Sequence, residues 1–375
     1  MGLTNEQREW LTLAMVPGVG TGKFIQLLAR FRTPGDVLRA SRTALEAVVG
    51  PALSKRISTY GEAVDVAAQE RAMQGRGANL ITLDDDQYPS RLAEIYDPPL
   101  VLFTRGELLE QDQHCVAIVG TRRPTPYGIR MAEKFGRELA ARGVTVVSGL
   151  AAGVDTAAHR GAIDAGGRTI AVLGCGVDVI YPKQNADLYD TIAENGVVMT
   201  QFAMGTEPRG THFPARNRII SGLSLGTLVV EAPMRSGALI TARQAAEQGR
   251  EVFAVPGNLD IRNSAGPHSL IREGAKLVET VEDILVELQI PAQVRQEPAT
   301  LPPRDTKSTA SQPAATAKPE PAESNVLRAL SPDGSHVDEI ASACRMSISE
   351  ALSSLTLLEL KGLVRQFSGK RFAPR

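Results

Sequence analysis

The sequence predicts an α/β fold: a doubly wound, mostly parallel sheet of Rossmann-like topology, with a small helical domain before it and a winged-helix domain after it. Three observations predict it. Continuous β-branched runs recur through residues 79–290, as expected of parallel strands covered on both faces. Amphipathic helical stretches separate these runs, the mark of βα units joined by right-handed crossovers. A tract at 291–323 rich in Pro, Ala, Thr and Ser divides this region from a last stretch of helical periodicity at 324–375.

Residues 1–75 read as helical. Met15-Val16-Pro17-Gly18-Val19-Gly20, followed by Phe24, Leu27 and Leu28, has the form of a helix-hairpin-helix turn, and Val48-Val49-Gly50-Pro51-Ala52-Leu53 is a weaker second copy. Such turns offer backbone N–H groups to phosphates, or simply join packed helices. Strands are expected at Cys115–Val119, Val144–Ser148, Thr169–Leu173, Val197–Thr200, Thr227–Glu231 and Glu251–Val255. Helices are expected near 127–141, where Ile129, Phe135 and Leu139 share a face, then around 155–165, after Asn185, and around 215–223 and 239–248. The tract at 291–323 has almost no large apolar residue to offset the entropy of ordering and is expected to be a disordered linker. In the final domain, Val337–Ala343 and Ile348–Leu360 are the second and recognition helices of a winged helix, and Arg365–Arg371 its wing. The recognition helix carries Ser, Leu and Glu, with Lys361 only at its end. That is poor equipment for gripping a DNA backbone, so a protein-binding or auxiliary role is expected, with wing contacts through Lys370 and Arg371.

Composition narrows the function classes only slightly. The 375 residues suffice for two or three domains. Lys and Arg total 41 against 42 for Asp and Glu, so a polyanionic partner needs a local basic groove. Cys115, Cys175 and Cys344 lack metal-ligand spacing. The N-terminus lacks a signal-peptide pattern and no apolar run reaches membrane-spanning length. The expectation is a soluble, cytoplasmic protein with no membrane insertion, metal or cofactor.

The chemistry lies at the carboxyl ends of the strands, where an open α/β sheet binds ligands at its topological switch point. Gly120-Thr121-Arg122-Arg123 follows the first strand and Ser148-Gly149-Leu150-Ala151-Ala152-Gly153 the second. Gly174-Cys175-Gly176 and Tyr181-Pro182-Lys183-Gln184-Asn185 follow the third, and Ser236-Gly237-Ala238 opens a helix after Glu231. Small residues admit a ligand to the backbone, helix N-termini present free N–H groups, and Arg122, Arg123 and Lys183 add charge. The combination suits phosphates. Each glycine alone equally serves a sharp turn; several such loops on one sheet edge favour a site.

Phe213-Pro214-Ala215-Arg216-Asn217-Arg218 is the second constellation. Cations at a helix start oppose the helix dipole, and a bound polyanion would compensate them. Phe213 can stack on a base of any sequence. Alternatively Arg216 or Arg218 pairs with Glu231 and Phe213 belongs to the core. The expected DNA-binding set is thus Gly120, Thr121, Arg122, Arg123, Ser148, Gly149, Lys183, Asn185, Phe213, Arg216, Asn217, Arg218, Ser236, Gly237 and Thr241.

Other chemistries fit poorly. Gly120-Thr121-Arg122-Arg123 fails the dinucleotide pattern, and Gly18-Val19-Gly20-Thr21-Gly22-Lys23 lacks phosphate-loop spacing and follows a helix. His159 reads as structural, and no nucleophile–base pair stands out, so no catalytic residue is assigned.

These segments resemble the DprA family (DNA-processing protein A, also called Smf). The resemblance rests on YPSRLAEIYDPPLVLFTRG ending at Gly106, VAIVGTRRPTPYG at 116–128, VSGLAAGVDTAAHRGAI at 147–163 and AVLGCGVDVIYPKQN at 171–185. It continues with FPARNRIISGLSLGTLVVEAPMRSGALITA at 213–242, GREVFAVPGN at 249–258 and LIREGAKLV at 270–278. Ala152 departs from it, since some members carry a basic residue there. The resemblance implies a non-enzymatic single-stranded DNA-binding protein that protects incoming DNA, dimerises, and loads the RecA recombinase during natural transformation. It carries the family's Gly-Ser/Thr-Arg loop onto Gly120, Thr121 and Arg122, and its YPK lysine onto Lys183. It places the homodimer interface at the end of the sheet, around His268, Ile271 and Leu277. Two other readings remain: a nucleotide-binding enzyme or sensor of the phosphoribohydrolase-like branch, acting through an arginine and Glu231 but with Ser224-Leu225-Gly226-Thr227 in place of its Pro-Gly-Gly loop, and a scaffold working through the winged helix.

Overall fold

The computed structural model describes residues 2–62 and 64–290 and, further on, 326–327, 329–331, 335–344, 346–347, 363–367 and 371–374, with single positions 351, 354, 355 and 358. The chain forms two compact units, Met1–Pro302 and Pro303–Arg375.

The first unit opens with six helices: α1 (Asn5–Met15), α2 (Thr21–Phe31), α3 (Pro34–Arg39), α4 (Arg42–Val49), α5 (Pro51–Ser58) and α6 (Val66–Arg76). A capping box starts α1, where the Thr4 hydroxyl accepts from the Gln7 N–H at 3.1 Å and the Gln7 side chain accepts from the Thr4 N–H at 3.2 Å. Gly50, at φ +78°, joins α4 directly to α5, a conformation that favours glycine. Trp10, Leu13, Phe24, Leu27, Leu45 and Ile57 form one core, with the Trp10 and Phe24 rings 4.7 Å apart. The helices also lean on the sheet, as Leu11 and Met73 share a core with Leu80, Val101 and Phe103.

The sheet has nine strands: β1 (Asn79–Thr82), β2 (Val101–Gly106), β3 (Cys115–Val119), β4 (Thr145–Ser148), β5 (Thr169–Val172), β6 (Val197–Thr200), β7 (Gly226–Val229), β8 (Glu251–Ala254) and β9 (Lys276–Leu277). Between them lie α7 (Ser90–Ala93), α8 (Pro126–Ala140), α9 (Val154–Asp164), α10 (Ala186–Asn195), α11 (His212–Leu223), α12 (Gly237–Glu247) and α13 (Ala265–Arg272), and α14 (Val281–Glu287) follows. The strand order is β1-β2-β6-β5-β4-β3-β7-β8-β9. Every pairing from β6 to β9 is parallel, while β1–β2 and β2–β6 are antiparallel. The chain winds outward from β3 in both directions, so the switch point falls between β3 and β7. Strands β3 to β7 are buried throughout, which accounts for their unbroken apolar runs. Ile219, Ile220 and Leu223 of α11 and Leu239 and Ala242 of α12 cover one face; Phe135 and Leu139 of α8 and Ala158 and Ala162 of α9 cover the other.

Six expected strands and five expected helices appear within a few residues of their expected bounds. Antiparallel β1 and β2 and the two-residue β9 extend the sheet beyond the elements that periodicity singles out. At the outer edge, the Gln7 amide donates to the Leu80 carbonyl at 3.2 Å.

In the second unit, β10 (Ser335–His336) leads into α15 (Val337–Cys344), and β11 (Val364–Phe367) pairs antiparallel with β12 (Arg371–Pro374), which also pairs with β10. Val326, Val337, Ile340, Ala351, Leu355, Leu358, Val364 and Phe372 form its core. This is the winged-helix domain. Most of the expected recognition helix, Lys361, the wing turn with Lys370, the Arg371 side chain and the linker at 291–323 lie outside the described residues.

Candidate nucleic-acid interface

The parallel sheet brings the loops after β3, β4, β5 and β7 to one edge, and buried polar groups lock them there. Glu231, 2% exposed, is the first lock. Its carboxylate accepts from the Thr125 N–H at 2.9 Å, the Thr125 hydroxyl at 2.5 Å and the Asn263 amide at 3.3 Å, and its carbonyl accepts from the Thr121 N–H at 2.7 Å. Thr125 in turn caps α8. The β3 loop is thereby tied to the end of β7, leaving the Arg122 and Arg123 side chains exposed. Glu231 pairs with neither Arg216 nor Arg218, which corrects the alternative ion pair read from sequence. Its oxygens are also committed to holding loops, which removes support from the phosphoribohydrolase reading.

Asp155 is the second lock. Near the start of α9, it accepts from the Gly149 N–H at 3.2 Å and the Ala151 N–H at 3.3 Å. Burial pushes its carboxyl up, opposed by the nearby Arg216 guanidinium, the two N–H groups and Arg122. Arg216 is 4% exposed; its Nη1 donates to the Val172 carbonyl, and the guanidinium fills the space that a Cβ at Gly149 would occupy. Burial lowers its pKa to about 10, so it stays protonated at neutral pH. Gly153, at φ +92°, lets the β4 loop pass the backbone of Thr121 and Arg122 where a Cβ would collide. Asn185 is buried and donates to the Leu150 carbonyl at 2.9 Å and the Thr156 hydroxyl at 2.8 Å. The Ser148 hydroxyl donates to the Ile118 carbonyl at 2.6 Å.

The aromatic part stands in front of these locks. Phe213 is half-buried; the Arg122 guanidinium lies 4.9 Å from its ring centroid, and the Tyr181 ring is 5.9 Å away. Together with Gly149, Ala151, Ala152, Leu173, Gly174, Cys175 and Pro182 they line a cavity of about 60 Å³. Lys183 is exposed in the turn that follows Pro182 and has no ion pair among the described residues. A second cavity, of about 360 Å³, opens at the switch point between the β3 loop, α11 and the start of α12.

The fifteen expected site residues therefore separate by role. Gly120, Thr121, Arg122, Arg123, Phe213, Arg216, Asn217, Ser236, Gly237 and Thr241 line the switch-point cavity, and Arg122, Gly149 and Phe213 line the smaller one. Ser148 and Asn185 are buried ties behind them. Arg218 points elsewhere, donating to the Asp97 carbonyl and to Gln201 at 2.5 Å. The helix begins at His212, so Arg216 and Arg218 lie in its second turn. The opposition to the helix dipole expected from sequence is therefore absent, because that field is confined to the first turn. Residues that sequence reasoning missed are Tyr181 as a ring, Asp155 and Arg235. An Asp just inside the helix after a Gly-rich loop is a readable signal for a loop-binding carboxylate.

His159 is buried beside Thr169, with Nδ1 to Oγ1 at 2.6 Å, and burial pushes its pKa down to about 3. Of the expected dimer residues, Leu277 is 44% exposed on β9, Ile271 is half-buried against the core, and the His268 Nε2 lies 3.0 Å from the Gly257 carbonyl. Among the described residues, no group of His, Cys, Asp and Glu is placed to hold a metal, and no helix is long and apolar enough to cross a membrane.

Fold and loops together define a doubly wound α/β protein with an electropositive switch point, coupled to a winged helix. Residues 79–289 match the family described as DNA recombination-mediator protein A, and residues 310–370 match the DprA winged helix domain. Protein Smf of a Synechocystis species is 36% identical over 99% of both chains. The X-ray structure of DNA processing protein A from Streptococcus pneumoniae superposes with a TM-score of 0.66 at 39% identity, covering 76% of this chain and 99% of that one. The DNA processing protein A of Helicobacter pylori, described for its single-stranded DNA binding mode, gives 0.51 at 30% identity over 56% of this chain and 95% of its own. The chain belongs to the DprA/Smf family of DNA-processing, recombination-mediator proteins.

Proposed function

We propose that this chain binds single-stranded DNA across the strand-end loops, without sequence preference and without catalysis. One observation carries the reading: a tier of Arg122, Phe213 and Tyr181 over a small cavity, with the exposed Lys183 beside it and, among the described residues, no carboxylate paired to either cation. Aromatic faces that stack on any base, set among unneutralised cations that follow the backbone, are what single-strand binding requires. In the wider reading, the protein protects incoming DNA and passes it to the RecA recombinase during natural transformation, acting as a cytoplasmic homodimer. The exposure of Leu277 and the partial exposure of Ile271 at the end of the sheet leave apolar surface for that dimer.

The test is a titration with a labelled oligonucleotide over a range of salt. Arg122→Ala and Lys183→Ala should each weaken binding and flatten the salt dependence by about 0.7 in logarithmic slope for each phosphate no longer neutralised. A folded double variant with unchanged affinity and slope removes the assignment, and equal affinity for a blunt duplex overturns the single-strand preference.

A further inference from the structure

We propose that the switch-point cavity, which shares Arg122 and Phe213 with the smaller cavity, takes a phosphate monoester carried on a nucleoside. It rests on the single-strand reading only in taking the neighbouring cavity as the path of the strand. Three exposed arginines, Arg122, Arg123 and Arg235, rim the cavity, and none forms an ion pair among the described residues. Arg216 contributes to its wall while 4% exposed. Its Nε is buried without a hydrogen-bond partner among the described residues, and its Nη1 donates to the Val172 carbonyl. Asp155 already shares the field of its charge, but a buried donor left without a partner is costly. The wall opposite is the start of α12, an eleven-residue helix capped by Ser236, whose hydroxyl accepts from the Ala238 N–H at 3.3 Å. The Ser236 carbonyl also accepts from the Leu239 N–H at 3.2 Å, and a Cβ at Gly237 would meet nothing within 4 Å, so the space beside Gly237 is open to a ligand.

The charge balance selects the ligand class. Among the described residues Asp155 is the one carboxylate lining the cavity, and it accepts from the Gly149 and Ala151 N–H groups. A backbone diester brings a single negative charge to this surplus of cations. A monoester brings about −1.5 to −2 at neutral pH and three acceptor oxygens, which matches three guanidinium groups and a helix N-terminus better. The monoester has two sources, the phosphorylated end of a bound strand or a free nucleotide.

The experiment separates them. Binding is measured for one oligonucleotide in three forms, with a 5′-phosphate, a 3′-phosphate or hydroxyl groups at both ends. Calorimetry with a deoxynucleoside 5′-monophosphate and with inorganic phosphate accompanies it, each on the full chain and on its Arg235→Ala and Arg235→Glu variants. An end phosphate is expected to tighten binding at least about fivefold, as added charge-assisted hydrogen bonds do, and Arg235→Glu to abolish that gain, read as the ratio of the phosphorylated to the hydroxyl form on the same variant. Equal binding of the three forms, together with nucleotide binding that Arg235→Glu removes, assigns the site to free nucleotides. No gain and no nucleotide binding overturns the proposal, as does a gain untouched by Arg235→Glu. Binding of the hydroxyl form reads the strand path alone, so loss of that form with the nucleotide arm intact refutes the single-strand reading and leaves the cavity assignment standing.

Discussion

Replacing Phe213 tests the heart of the proposed interface. Phe213→Ala removes the ring that Arg122 covers at 4.9 Å and that Tyr181 faces at 5.9 Å. Stacking of one base on an aromatic side chain is worth about 1–3 kcal/mol, which corresponds to roughly 5- to 150-fold in affinity. Without the ring, Arg122 also forgoes a cation–π attraction of about 0.5–1 kcal/mol. Phe213 is only half-buried, so its truncation should cost less folding free energy than the roughly 3–5 kcal/mol of a buried Phe. Fluorescence anisotropy on a labelled oligonucleotide, with urea melts as the control, measures both quantities. The salt slope should not change, because the ring carries no charge. Phe213→Tyr should recover binding, whereas Phe213→Leu, which restores bulk but not a π face, should not. Binding of Phe213→Ala within twofold of the parent, or full recovery by Phe213→Leu, would refute base stacking here.

The other predictions address stability and assembly. His159 titrates near 3 in the folded chain against 6.5 unfolded, so below pH 6.5 the unfolded state binds a proton that the folded state refuses. Stability should fall as pH drops from about 6.5 toward 3, by up to about 1.4 kcal/mol per unit, and His159→Gln should flatten that part of a stability–pH curve; an unchanged curve would show that the imidazole charges without penalty. Ile271→Lys with Leu277→Lys should give a monomer in sedimentation equilibrium, and a surviving dimer would move the interface away from β9. A chain truncated after residue 290 should stay folded and keep single-strand binding to within about tenfold, because the described strand-end cavities lie wholly before that point; a hundredfold loss in a folded truncation would transfer the main site to the winged helix.

The sheet is legible in the sequence because parallel strands buried on both faces leave unbroken apolar runs, and because such a sheet sends each loop after a strand to the same edge. Arg122 and Phe213 can be placed together on that basis alone. The outer strands escape, since β9 has only two residues and β1 and β2 pair antiparallel, outside the alternating strand–helix units. Pro214 obscures the start of α11. Proline commonly marks the first helical position, yet it is tolerated anywhere in a first turn whose N–H groups lack helical partners, and here two residues precede it. Glu231 reads as a partner for arginine because charge is visible in sequence. The hydroxyl and amide of Thr125 and Asn263, distant along the chain, are what it holds.

The two margins of the sheet are unlike. At β1 a side-chain amide from α1 already occupies the Leu80 carbonyl, so that margin offers a poor template for another strand. At β9 the ladder ends after two residues with Leu277 exposed. In the proposed homodimer the β9 margin meets the same margin of a second copy, and the blunted β1 margin leaves no further strand to pair. Such an association would be closed by geometry, with pairing along the sheet stopping at two copies.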